Sequence, residues 1–128
     1  MYTFNKTLEG VPFEAAVARA RDALATAGFG VLTEIDVKKT MKAKLEIDIG
    51  EYLILGACNP KMAHRAIELE PRVGAMLPCN VIVRALDNGA VEISAINPVA
   101  SMQAISNADL HAVAGEVADR LRSVIDAI

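Results

Sequence analysis

A chain of 128 residues that is 53% hydrophobic, only 4% aromatic and free of tryptophan can build one aliphatic core, with few flat aromatic walls for a ligand. Its net charge of −3 leaves no basic face to offset nucleic-acid phosphates, the local exception being the four lysines of "KKTMKAK" at 38–44, which read as a solvated helix face. No window reaches the roughly 18 apolar residues of a membrane-crossing helix, and residues 1–8 lack the apolar run of a secretory signal. A single cytosolic domain over residues 1–128 is therefore expected, with no nucleic-acid or membrane partner.

Residues 2–8 alternate as a first strand. Pro12 then suits the start of a helix whose inward face carries Phe13, Val17, Ala20, Leu24 and Ala27, with Gly28 as a left-handed stop. Residues 31–37 read as a strand with Val31, Thr33, Ile35 and Val37 on one side and Leu32, Glu34 and Asp36 on the other. Asp36 can cap a short helix through 38–45 whose inward pair is Met41 and Leu45; a strand hairpin over 38–49 is the alternative. The continuous apolar run "YLILGA" at 52–57 has the length of a strand buried on both faces.

Asn59 is a good helix cap and Pro60 a good first helical residue, and Pro71 ends the helix they open. A further buried strand follows from Cys79. Asn88-Gly89 signals a two-residue hairpin into a strand at 90–97. Asn107 caps a long closing helix with an inward stripe of Leu110, Val113 or Ala114, Val117, Leu121 and Val124. Gly115 within it suggests close packing on the sheet. The order β-α-β-(α)-β-α-β-β-α predicts an α+β two-layer sandwich, its sheet mixed or mostly antiparallel, with helices on one face.

The only cysteines stand in two similar settings, "GACNP" at 56–60 and "LPCNV" at 77–81. Cys58 precedes a helix N-terminus, where the partial positive charge favours a thiolate; a small buried joint is the plainer alternative. If the strands carrying Cys58 and Cys79 lie antiparallel, both thiols share one end of the sheet. Two thiols fall short of the four ligands of structural zinc but suit a soft ion such as Cu(I). His64 and His111 complete no ligand set by spacing. Asn59 is explained by capping. Asn80, a polar amide heading an apolar strand, needs partners: a backbone bridge near Asn59 or a ligand.

From "YLILGACNP" through "LPCNVIV", with "GFGVLTEIDVKKTMKAKL" before and "AINPVASM" after, the chain resembles the bacterial and archaeal domain-of-unknown-function family numbered 302. The resemblance implies an α+β fold like that of the TATA-box-binding-protein group, homodimers, and motif positions at Cys58, Asn59, Pro60, Pro78, Cys79 and Asn80. It implies no reaction, and the fold likeness does not carry DNA binding with it.

The leading expectation is a cytosolic homodimer that binds a small ligand or a soft metal ion near Cys58, Asn59, Cys79 and Asn80, with Cys58 and Cys79 as the metal-ligand pair. A redox or transfer enzyme using Cys58, and a purely structural role for both Cys-Asn pairs, are the alternatives.

Overall fold

Local chemistry explains most of the boundaries in the computed structural model, which describes residues 1–128. Strand β1 (Thr3–Leu8) leads into helix α1 (Phe13–Thr26), and Gly28 stops the chain at φ +86. Strand β2 (Gly30–Asp36) runs directly into helix α2 (Val37–Leu45), where the Asp36 carboxylate accepts a hydrogen bond from Lys39 N at 2.9 Å. Strand β3 (Tyr52–Cys58) ends at Asn59, whose Oδ1 accepts from Met62 N at 3.2 Å and caps helix α3 (Pro60–Leu69). A 3₁₀ turn (Pro71–Met76) then leads to strand β4 (Cys79–Ala85) and strand β5 (Val91–Ile96). Asn97 caps the single turn α4 (Pro98–Ser101), and Asn107 caps α5 (Ala108–Ala127) through Leu110 N at 3.0 Å.

The five strands form one sheet in the order β1-β5-β4-β3-β2, antiparallel at every pairing. The architecture is the expected α+β sandwich, with the sheet fully antiparallel rather than mixed. Successive side chains point to opposite faces, so the register sorts the sheet into rows. Phe4, Ala95, Val81 and Leu55 form one row under the helices. They join Leu24 of α1 and Leu110, Leu121 and Ile125 of α5 in the buried core. On the other face one row crosses every strand: Asn5, Ser94, Ile82, Ile54 and Ile35. Beside it, Arg84 grips Glu92 through Nε at 3.0 Å and Nη2 at 2.9 Å.

Several expectations needed correction. The simple alternation of β2 fails because a bulge falls between Val31 and Thr33. Val31 stays on the helix side opposite Ala57, whereas Thr33 and Ile35 turn to the open face. Helix α2 forms, but nothing in it is buried, and Leu45 is 60% exposed rather than turned inward. Its lysines pair with solvent-side carboxylates, Lys38 with Glu51 and Lys42 with Asp48. Strand β3 is buried along its helix face, but on the open face only Gly56 is buried; Tyr52 and Ile54 remain half-exposed. Asn88-Gly89 belongs to a three-residue hairpin loop: Gly89 alone has positive φ, and Leu86 N bonds Ala90 O at 2.8 Å. Gly115 is not forced by packing, because a Cβ built there meets no atom within 4 Å.

Candidate functional site

Antiparallel pairing of β3 with β4 sets Cys79 directly opposite Ala57 and next to Cys58, so both thiols stand at one end of the sheet. Cys79, Ala57 and Val31 form the last row beneath the helices. Strict alternation would turn Cys58 to the other face. As the final residue of β3 it pairs with Gly30 of β2 but has no partner on β4, and it lines the same cavity as Cys79. Both are free thiols, Cys58 half-buried and Cys79 buried at 7% exposure. Burial, with a smaller contribution from the charge of neighbouring Cys58, pushes the Cys79 thiol up from 9.0 to about 11.

The cavity beside them measures about 300 Å³. Its floor is the sheet end, with Ala57, Cys58 and Cys79. Met62, Ala63 and Ala66 of α3 make one wall; Val113, Ala114 and Val117 of α5 make another. Phe29, Leu77, Pro78, Pro98 and Met102 close it. The alanines matter sequentially as well as spatially: small residues at 63, 66 and 114 leave room between layers that larger ones would fill. Fourteen of the seventeen lining residues are hydrophobic, and Asn59 brings the only side-chain nitrogen or oxygen. Its Oδ1 is committed to capping α3. At the mouth, Leu32 and Ile67 are 66% and 43% exposed, an apolar rim that extends the lining outward.

Three of the four sequence-identified residues, Cys58, Asn59 and Cys79, therefore share one cavity. Asn80 does not. It is exposed on the open sheet face opposite Gly56, with Tyr52, Arg84 and Glu92 lining the same shallow depression. It needs no buried bridge to Asn59 because it is not buried. Gly56 is constrained on that face: a Cβ there would overlap Thr33 Oγ1 and lie 2.7 Å from Pro78 Cγ. His64 is exposed and pairs with Glu68 one turn on, and His111 is exposed on α5. Sequence reasoning missed Met62. It lies four residues beyond Cys58, on the buried face of α3. The contribution of α5 carried no local signal.

A family model, Domain of unknown function DUF302, matches residues 4–128, and the chain belongs to that family. An uncharacterized protein of Aquifex aeolicus (strain VF5) is 23% identical over 94 residues, covering 73% of this chain and 59% of that protein, so the chain spans less than two thirds of that relative's length. The crystal structure of an uncharacterized conserved DUF302 protein from Bacillus stearothermophilus superposes with a TM-score of 0.91 at 25% identity, over 99% of this chain and 98% of that one. No helix here is long and apolar enough to cross a membrane.

Proposed function

We propose that this DUF302 member is a binding domain for a compact apolar ligand, held in the cavity between the Cys58–Cys79 end of the sheet and helices α3 and α5. The observation that carries the reading is an apolar cavity of about 300 Å³ with both cysteines of the chain among its lining residues. Ligand pockets start near this size and are mostly apolar with few polar groups. At about 30 Å³ for each water-sized unit, the space takes roughly ten non-hydrogen atoms. A ligand of that size gains its binding energy from burial, with orientation left to the thiols and the backbone at the mouth.

A methyl-detected NMR titration with indole tests the reading. Indole should shift the methyl signals of Ala57, Met62 and Val113, and Ala63→Leu should abolish those shifts by filling the space. Unchanged methyl signals at millimolar indole would overturn it.

The functional unit we propose is a homodimer in a reducing, cytosolic setting. Support comes from the open sheet face, where Ile82, Ile54 and Ile35 run side by side and Ile35 is 49% exposed. A second copy is an economical cover for such a row. A monomer by light scattering would rule this part out.

A further inference from the structure

Cys79 pairs with Ala57 across β3 and β4, one residue from Cys58, yet the cavity lining holds more sulfur than these two thiols. Met62 and Met102 also line it, so both cysteines and two of the chain's five methionines surround one space. The methionines are buried, at 6% and 4% exposure. No cluster of three or more histidine, cysteine, aspartate or glutamate side chains occurs anywhere in the structure. That donor set does not meet the four-ligand demand of structural zinc, nor the oxygen-rich demand of calcium or magnesium. Thiolate and thioether sulfur instead select soft centres.

We propose that Cys58 and Cys79 are a two-sulfur clamp for a soft, thiophilic centre, and that the cavity receives the apolar substituent such a centre can carry. Copper(I) and trivalent organoarsenic share this chemistry. The second half of the proposal rests on the cavity being a ligand site; the clamp does not. With copper, each thiol gives up its proton to solvent and Cu(I) bridges the two sulfurs, with no change of oxidation state. With an aryl arsenoxide, two S–H bonds and the As=O bond are consumed. Two As–S bonds form and one water leaves, again without electron transfer. Met62, in the first turn of α3, offers a neutral third sulfur that would not add charge to the apolar wall.

The test uses the reduced full chain. In native mass spectrometry with phenylarsine oxide, the clamp predicts one adduct equal to the reagent less one water. That adduct should survive excess monothiol and be reversed by a dithiol. An adduct of full reagent mass, meaning one thiol only, would overturn the clamp. Copper is tested with a chromogenic Cu(I) chelator: the wild type should retain one equivalent, Cys58→Ser should lose it, and Met62→Leu should weaken retention less than Cys58→Ser does. Equal retention by wild type and Cys58→Ser would also overturn the clamp. Cys58 is half-exposed, so this variant avoids the folding risk of altering buried Cys79. Copper retained with no response to indole would sink the cavity reading and leave the clamp. Indole binding with neither copper nor the dehydrated arsenical adduct would do the reverse.

Discussion

Alkaline pH should destabilise this protein through Cys79 in a way its surface charges cannot reproduce. In the folded chain the thiol holds its proton up to about pH 11, against 9.0 ordinarily, chiefly because burial at 7% exposure penalises the thiolate and secondarily because Cys58 lies beside it. Below 9.0 both folded and unfolded chains are protonated here, and the full contribution of the neutral thiol is present. Between 9.0 and about 11 the unfolded chain loses this proton while the folded chain keeps it, so the unfolded state gains and stability falls. Above that range both states are ionised and the contribution is gone. A rise from 9.0 to about 11 corresponds to about 3 kcal/mol at 1.36 kcal/mol per pH unit. Urea denaturation of wild type and Cys79→Ala, under reductant at several values from neutral to alkaline, isolates the effect, since lysines and tyrosines titrate in both. Wild type should lose about 3 kcal/mol more than the variant across the window. Parallel pH profiles for the two proteins would refute the reasoning, and would mean that Cys79 reaches water more freely than its burial implies.

Two glycines should respond to alanine with opposite signs. Gly56→Ala drives a methyl into Thr33 Oγ1 and Pro78 Cγ and should cost about 1–3 kcal/mol of unfolding free energy. Gly115→Ala places its methyl in open space within α5 and should add about 0.5–1 kcal/mol, read from the same denaturation curves. Asn107→Ala removes both the α5 cap and the 3.0 Å bond from Nδ2 to Leu69 O that ties α5 to the end of α3. A loss of about 1–2 kcal/mol, with a lower thermal midpoint, is expected.

Local signals carried far in this sequence. Asp36, Asn59 and Asn107 announce three helix starts because a short polar side chain can satisfy a free backbone N–H wherever it stands. Gly28 announces a stop for the same local reason. Strand and helix lengths followed from periodicity, and with them the sandwich. Features that depend on a partner strand were not legible. The bulge between Val31 and Thr33 and the three-residue loop before Ala90 are properties of two strands in register. Asn80 is a different kind of miss. Adjacent strand residues point to opposite faces, so Cys79 and Asn80 could not both face one site, and that rule was available from sequence. Asn59 escapes the rule because β3 has already ended. The cavity arises from small side chains on α3 and α5 meeting across the layers, which no single segment encodes.

The strand order has a kinetic consequence. Strands β2, β3, β4 and β5 follow one another in space as they do in sequence, so each can zip onto its predecessor after a modest loop closure. Strand β1 is different: Thr3 pairs with Ile96, about three quarters of the chain away, and Lys6 Nζ reaches Asp126 O at 2.9 Å near the end of α5. Its pairing waits on β5 and its anchor on α5, which makes it the last strand to assemble and the first to detach in partial opening. In native-state hydrogen exchange the β1 amides should then open at a lower free energy than those of β4, the central strand, and open together with the C-terminal turns of α5.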